Sequence, residues 1–113
     1  MAILSFSLTK NEFLSGNKTV TRRDWVDSYH NMWERMWDTN RLFHDAYDNI
    51  PRAGGTKIGK IKLIDKPYRE KLVDMPLEDL IAEGGMCSTR EEFIEFIGKT
   101  PNDTVSVIRF VKV

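Results

Sequence analysis

The sequence predicts a small α+β domain, because short strand patterns and short helix patterns alternate along the chain with brief connections. A chain of 113 residues is long enough for one domain with its own core. Hydrophobic residues contribute 41% and charged residues 30%, which is typical of a globular protein and not of a disordered one. We therefore expect a single domain over residues 1–113.

Five stretches have the composition or the alternation of β-strands. In the fourth, Ile61 and Leu63 share one face whereas Lys60 lies on the other, so we expect a barrel-type strand with one basic side. In the last, apolar residues occupy both faces, which predicts burial on both. The five predicted strands are residues 2–7, 18–23, 41–47, 57–65 and 104–113.

Four stretches carry helix signals. One begins at Thr9 and Glu12, whose spacing is that of a capping box, and another begins at Ser88 and Glu91 with the same spacing. The longest would be capped by Asp24, and its apolar residues recur at the three- and four-residue spacing of a core-facing stripe. The predicted helices are residues 10–15, 26–39, 77–82 and a stretch ending at Gly98, in which Phe93, Ile94, Phe96 and Ile97 are expected to be buried.

Charge is unevenly distributed, although 17 Lys and Arg balance 17 Asp and Glu. Residues 52–62 contain Arg52, Lys57, Lys60 and Lys62 without an acid, whereas residues 74–95 are strongly acidic. The chain therefore predicts a polarised surface with a basic region, which is the feature that attracts nucleic-acid phosphates. Two solvated surfaces of opposite sign explain the same pattern.

Several classes of protein are disfavoured. The single Cys87 cannot form an intramolecular disulfide, and His30 and His44 lack neighbours at metal-ligand spacing, so we expect no metal site. No complete nucleotide-binding fingerprint is present, and we expect no cofactor. No apolar run approaches the roughly 18 residues that span a bilayer, and residues 1–9 lack the pattern of a leader, so we expect a cytoplasmic protein without a membrane partner. Nothing in the sequence sets the oligomeric state.

Residues 16–25 (GNKTVTRRDW) concentrate the chemically useful side chains. Three cations, two hydroxyls and the indole of Trp25 lie within ten residues. Gly16 is expected to end the preceding helix, since glycine adopts positive φ at little cost. Both faces of the predicted strand over residues 18–23 carry polar groups, which is typical of the lip of a cleft and not of a half-buried sheet.

Residues 13–23 (FLSGNKTVTRR) resemble the opening motif of ASCH domains, which are small members of the PUA-like superfamily of RNA-binding β-barrels. Residues 75–85 (MPLEDLIAEGG) resemble the later ASCH signature, which ends in an acidic residue and a glycine. A third similarity, over residues 47–59, is to the turn and barrel strand of phage and bacterial ASCH proteins. The resemblance implies a small PUA-like β-barrel with flanking helices, and one ASCH domain over the whole chain.

The same resemblance implies a catalytic site. Some ASCH proteins are amidohydrolases that remove the acetyl group from N4-acetylcytidine, and their threonine, lysine and glutamate correspond to Thr21, Lys18 and Glu83. In that scheme Thr21 attacks the acetyl carbonyl, Lys18 accepts the hydroxyl proton, and Glu83 protonates the leaving N4 nitrogen. A lysine acts as a base only if burial or a nearby cation lowers its pKa, and Arg22 and Arg23 could supply that charge.

The spacing raises one objection to this scheme. Lys18 and Thr21 are three residues apart, so in a regular strand they point to opposite faces, and their convergence requires a turn or bulge after Gly16. The chain also departs from characterised amidohydrolases in its Trp-rich predicted helix over residues 26–39, where a lid would alter the pocket. The substrate therefore stays open among a free nucleoside, a modified base in RNA, and another acylated amine.

The alternative is a module that binds RNA or single-stranded nucleic acid. In this interpretation Lys18 and Arg22 bind phosphate, Thr21 is an ordinary sheet residue, and Glu83 forms a salt bridge. A ribonuclease that uses the same cations to stabilise charge on phosphate is a further variant. Aromatic side chains would stack on bases while cations hold the backbone. The predicted binding residues are Arg22, Arg23, Trp25, Tyr47, Arg52, Lys57 and Lys60.

Overall fold

The protein is described by a computed structural model that covers residues 2–113. Six β-strands and four short α-helices alternate along the chain, which confirms the predicted α+β class. The elements are β1 (Ile3–Ser5), α1 (Lys10–Leu14), β2 (Val20–Arg23), α2 (Asp27–Asp38), β3 (Phe43–Tyr47), β4 (Lys57–Leu63), β5 (Tyr68–Lys71), α3 (Asp79–Ala82), α4 (Arg90–Phe96) and β6 (Thr104–Lys112). Two 3₁₀ turns, Pro51–Ala53 and Leu72–Asp74, precede β4 and α3 respectively.

The strands form one curled sheet in the order β1-β3-β4-β6-β2, with β5 also pairing with β6. β1 runs parallel to β3, and the remaining pairs are antiparallel. Because the sheet curls, its end strands β1 and β2 approach each other, and Arg23 Nη2 bridges them by donating to the Ser5 carbonyl oxygen at 2.6 Å. The sheet is consistent with a small barrel that is open between β1 and β2, and the PUA-like topology stays a prediction.

The core has two parts. The larger fills the curl of the sheet, where Phe6 stacks on Phe13 with ring centroids 4.7 Å apart and α2 contributes the fully buried Trp33. The smaller lies beneath α3 and α4 and contains Leu80, Phe93 and other apolar residues. Burying one such side chain contributes roughly 1.5 to 3 kcal/mol. The larger cluster therefore anchors β1 through Leu4, and the smaller one holds α3 and α4 against β6.

The predicted strand faces are confirmed where apolar residues dominate. In β4, Ile61 and Leu63 are 0% and 1% exposed, whereas Lys60 points to solvent. In β6, the four consecutive residues Val105–Ile108 are all buried, because β6 pairs with β2, β4 and β5. The observed strands are mostly shorter than predicted, and β2 in particular begins at Val20 and not at Lys18.

One strand was not predicted. Pro67 and Tyr68 break the preceding pattern, but Tyr68–Lys71 forms β5 and pairs antiparallel with β6 in the register Tyr68↔Val107. β5 is only four residues long and largely polar, so it lacks the apolar alternation on which strand prediction depends. β5 is stabilised instead by its backbone pairing with β6 and by the ion pairs of Arg69 and Glu70.

Of the three predicted caps, the one at Thr9 has the predicted position but lacks the side-chain hydrogen bond, whereas those at Asp24 and Ser88 are wrong. Thr9 makes no side-chain cap bond to α1. Asp24 forms a salt bridge with Lys99 and does not cap α2. The residue at the N-cap of α2 is Val26, which makes no side-chain capping hydrogen bond. At α4 the cap is Thr89, whose hydroxyl accepts from Glu92 N at 3.1 Å. Within residues 2–113, none of the helices has the length and apolar character needed to cross a membrane.

Candidate functional site

A pocket of about 190 Å³ lies in the gap between β1 and β2. Its walls come from residues 5–9 after β1, from β2 and the residues just before it, from the turn after α3, and from α4. The lining includes all three predicted catalytic residues and two of the predicted binding residues: Lys18, Thr21, Glu83, Arg22 and Arg23. The structure therefore brings together, from segments more than 60 residues apart, the groups that the resemblance associates with catalysis.

A turn at Gly16 ends α1 and leads to Lys18 and then to β2. Gly16 has a φ of +81°, and the N–H groups of Asn17 and Lys18 both donate to the Glu12 carbonyl, at 3.0 and 3.1 Å. Lys18 thus precedes the regular strand, which begins only at Val20. The turn lies at Gly16, before both residues, and a turn or bulge between Lys18 and Thr21 stays a prediction. Because Lys18 lies outside β2, strand periodicity does not fix its direction relative to Thr21.

Lys18 and Glu83 form a buried ion pair on the pocket floor. Lys18 Nζ donates to Glu83 Oε1 at 3.1 Å and to the Glu83 carbonyl oxygen at 2.6 Å. The two residues are 3% and 4% exposed. Burial lowers the pKa of Lys18 below its usual range, and the neighbouring Arg23 and Arg22 lower it further, although attraction to Glu83 opposes the change. The pKa of Lys18 is therefore shifted in the direction that a general base requires.

Arg22 is surrounded by three carboxylates. Its Nη1 donates to Glu83 Oε2 at 2.9 Å, its Nη2 to Asp79 Oδ2 at 2.6 Å, and both Nε and Nη2 to Glu70 Oε1 at 3.0 Å. Burial opposes the charge of Arg22, but hydrogen bonds and attraction from these carboxylates outweigh it and raise the pKa of Arg22. Its side chain is 0% exposed, so Arg22 orients Glu83 and does not project into solvent.

Sequence reasoning did not single out the rest of this network. Asp79 is 3% exposed and accepts from Arg22 and from Arg109, whose Nη2 lies 2.7 Å from Asp79 Oδ2. Arg109 also donates to the Tyr68 hydroxyl at 3.0 Å. The available signal was Arg109 itself, since it is an isolated charge between apolar residues of the last strand. Its partners could not be found from spacing.

Thr21 contacts Arg23. Arg23 Nε donates to Thr21 Oγ1 at 3.0 Å, and the Arg23 guanidinium carbon lies 5.5 Å from the ring centroid of Phe6. Burial lowers the pKa of Arg23, although attraction to Glu83 opposes the change. The hydrogen bonds of Lys18 Nζ go to Glu83 and not to Thr21, so proton transfer from Thr21 requires the Lys18 side chain to reorient.

The mouth of the pocket is apolar. Leu8, Met86 and Phe96 line it and are 71%, 38% and 49% exposed. The predicted burial of Phe96 is therefore wrong: α4 buries Phe93 and Ile94 against the smaller core, and Phe96 lies at the edge of that face. The pocket thus combines a charged floor with an exposed apolar rim.

The remaining predicted binding residues lie outside this pocket. Trp25 stacks on Trp33 with centroids 5.2 Å apart and contacts the Tyr29 ring edge. Tyr47 ends β3 opposite Ser5. Arg52 lies in a 3₁₀ turn, and Lys57 and Lys60 lie on β4, where Lys57 Nζ is 3.0 Å from Asp45 Oδ1. These residues and the pocket do not form one site.

The predicted lid over residues 26–39 is also not at the pocket. α2 packs against the larger core through Trp33 and Met36, and none of the described residues that line the pocket belongs to α2. The Trp-rich stripe is therefore a core element, as its spacing predicted. The position of α2 therefore gives no reason to expect that this helix changes the size of the pocket.

A second polar constellation contains a serine and a histidine. His30 Nδ1 lies 2.7 Å from Ser106 Oγ, and His30 Nε2 lies 3.6 Å from Glu34 Oε1, which resembles the residue types of a hydrolase triad. Ser106 is 0% exposed and also accepts from Arg69 Nη1 at 3.1 Å. Because a substrate cannot reach a fully buried serine in the middle of β6, this group connects α2 to the sheet.

Among residues 2–113, no three His, Cys, Asp or Glu side chains are grouped so as to hold a metal ion. Burial raises the pKa of the Cys87 thiol, which disfavours its reactive thiolate form. The fold and the site thus define a small α+β protein with a pocket whose floor is charged and contains a threonine hydroxyl. No family model, curated protein or solved structure matches the chain, and the resemblance to ASCH domains stays a prediction.

Proposed function

We propose that the protein is an amidohydrolase that removes the acyl group from an N4-acylated cytidine-type nucleoside or modified RNA base. One observation carries the proposal: Lys18, Thr21 and Glu83 line a single pocket in which the amine is buried and hydrogen-bonded to the carboxylate. A hydroxyl, a base of lowered pKa and a proton carrier are the groups that amide cleavage by a threonine requires.

The proposed reaction proceeds in two stages. Lys18 in its free-amine form first turns from Glu83 towards Thr21 and takes the hydroxyl proton, and Thr21 Oγ1 forms a bond to the acyl carbon. The bond from that carbon to N4 then breaks, and the nitrogen receives a proton from Glu83, which is resupplied by Lys18 across their 3.1 Å hydrogen bond. Water subsequently hydrolyses the acyl-threonine ester, which releases the carboxylic acid and restores Thr21.

The two arginines have separate roles in this proposal. Arg23 Nε lies 3.0 Å from Thr21 Oγ1, close to where negative charge develops on the acyl oxygen, so Arg23 stabilises the tetrahedral intermediate. Arg22 holds Glu83 Oε2 at 2.9 Å and keeps its other oxygen directed at Lys18. Arg22 is a positioning residue, since its donors are directed at carboxylates of the protein.

The burial of the cluster favours hydrolysis over phosphate binding at this site. Taking charges such as those of Lys18, Arg22 and Glu83 out of water is expensive, and apolar residues of similar volume often stabilise a protein as well or better. A cluster of this kind with a shifted lysine pKa, beside a pocket, is typical of a catalytic site. A volume of about 190 Å³ is smaller than the roughly 300 to 1,000 Å³ of pockets that enclose drug-sized ligands, so the pocket would take the acylated base and leave the rest of the substrate outside.

The test is to incubate pure protein with N4-acetylcytidine and measure cytidine by chromatography. Turnover is expected in the wild type, with a loss of about a hundredfold or more in Thr21→Val and Glu83→Gln, since nucleophilic and acid–base groups contribute at least that much. Thr19→Val is the matched control, because Thr19 lies two residues away and does not line the pocket. Turnover that survives Thr21→Val, or is absent from the wild type, would contradict the proposal.

A nucleic-acid-binding function is the second candidate, and a different surface favours it. On the outer face of β3 and β4, Phe43 is 51% exposed and Lys62 Nζ lies 5.7 Å from its ring centroid, with Lys60 two residues along the strand. An exposed aromatic ring beside a lysine is suited to binding single-stranded nucleic acid. Substituting Lys60 and Lys62 by Glu should weaken oligonucleotide binding and its salt dependence, and unchanged binding would refute this candidate.

A further inference from the structure

We propose that Phe96, together with Leu8 and Met86, forms a platform that holds the flat face of a heteroaromatic ring over the charged pocket. The inference deepens the proposed function, on which it rests, by naming the residues that select a planar ring over an aliphatic amine. Phe96 is the specificity-determining residue, because its ring is the aromatic group exposed at the rim.

The arrangement of the rim supports this inference. Scattered exposed apolar side chains are normal in proteins and need no explanation. Here, however, Leu8, Met86 and Phe96 come from three separate segments and all line the pocket that contains Lys18 and Thr21. A ligand that covers them would remove apolar surface from water while its edge reaches the polar floor. A planar heterocycle with polar edges and apolar faces matches both surfaces.

The charges around the rim point to stacking and not to phosphate recognition. α4, which carries Phe96, also carries the exposed acids Glu92 and Glu95, and Arg90 Nε donates to the Met75 carbonyl at 2.9 Å. Arg22, on the pocket floor, is engaged by carboxylates. Glu92 and Glu95 do not line the pocket, but they lie on α4 within about one turn of Phe96. They would repel an anionic group stacked on Phe96 and leave an uncharged ring unaffected.

The experiment compares Phe96→Ala with a control at an equally exposed apolar residue. Ile64 is 52% exposed, against 49% for Phe96, and it lies just after β4, outside the pocket. For hydrolysis of N4-acetylcytidine, Phe96→Ala should raise KM about tenfold with little change in kcat, the effect of losing one stacking contact. Phe96→Trp should restore KM, Ile64→Ala should match wild type, and hydrolysis of N-methylacetamide, which has no ring, should be unaffected by Phe96→Ala.

Direct binding separates this inference from the proposed function. Cytidine, the product, is titrated into wild type, Phe96→Ala and Ile64→Ala, and chemical-shift changes give each Kd. Weaker binding only in Phe96→Ala supports the platform even if wild type hydrolyses no amide, in which case the proposed function alone fails. Turnover by wild type with equal KM and equal Kd in Phe96→Ala would overturn the platform alone. If neither turnover nor cytidine binding is found, both are overturned.

Discussion

Replacing Asp79 by Asn tests the network that holds the site together. Asp79 lies on α3 and joins two strands to it, since its Oδ2 accepts from Arg22 Nη2 at 2.6 Å and from Arg109 Nη2 at 2.7 Å. The substitution preserves the shape of the side chain and removes its charge. Two buried or partly buried arginines then lose a common counter-ion.

The magnitude follows from what each arginine retains. Breaking a buried ion pair by removing one partner costs about 3 to 5 kcal/mol. Arg22 keeps Glu70 and Glu83, and Arg109 keeps the Tyr68 hydroxyl and is 25% exposed, so both stay partly compensated. We therefore expect Asp79→Asn to lower the free energy of unfolding by about 2 to 3 kcal/mol, which a domain with about 5 to 15 kcal/mol of stability tolerates.

The assay is urea unfolding followed by tryptophan fluorescence at neutral pH, with Asp38→Asn as the matched control. Asp38 pairs with Lys66 at 3.1 Å, but the two side chains are 54% and 44% exposed. Its loss should change the free energy of unfolding by less than about 1 kcal/mol. If Asp79→Asn is as stable as Asp38→Asn, the carboxylate network does not support the site and the reasoning is refuted.

The pH dependence gives an independent check of the same pair. Burial alone would raise the pKa of Asp79, but hydrogen bonds from Arg109 and Arg22 outweigh it and hold the pKa below its usual value of 3.8. Because the folded-state pKa is the lower one, the stability contributed by Asp79 is present above pH 3.8 and is lost as the pH falls through the folded-state pKa. The stability gap between wild type and Asp79→Asn should therefore close on strong acidification.

Two further predictions concern the catalytic base and the turn that carries Glu83. Lys18 acts as a free amine, and burial lowers its pKa below the usual 10.5. We therefore expect kcat/KM to rise as the pH increases through the lowered pKa of Lys18. A kcat/KM that falls over this pH range would contradict the role of Lys18 as a general base. Gly84 has a φ of +134° and an added Cβ would lie 3.3 Å from Thr9 Cγ2, so Gly84→Ala should cost about 1 to 3 kcal/mol. Gly85→Ala, at a φ of +75° with open space, should cost less, and equal thermal melting of the two variants would refute the steric argument.

The parts of the fold that the sequence predicts are those with strong local patterns. β4 and β6 are rich in apolar residues over seven and nine positions, so their existence and buried faces follow directly from the sequence. β5 does not, since it is a short polar strand stabilised by pairing with β6. The cap expected at Asp24 fails for a related reason, because its partner Lys99 is 75 residues away and cannot be found from local spacing.

The site shows the same difference between features that are local in the sequence and partners that are distant in it. Lys18, Thr21 and Arg23 lie within six residues, and their composition alone marks a functional stretch. The groups that orient Arg22 are distant: Glu70 is 48 residues away and Asp79 is 57 residues away. Phe96 illustrates a further limit, since its apolar character is compatible with a core position or with a pocket rim. Only the packing of α4 distinguishes the two.

The most direct measurement of the central claim is the location of the acyl group during turnover. Protein mixed with N4-acetylcytidine is quenched in acid, and its peptides are mapped by mass spectrometry. The proposed mechanism predicts an acetyl ester on Thr21, with neither ester nor cytidine release in Thr21→Val. An acetyl group on Lys18, or cytidine release that continues in Thr21→Val, would show that Thr21 is not the nucleophile.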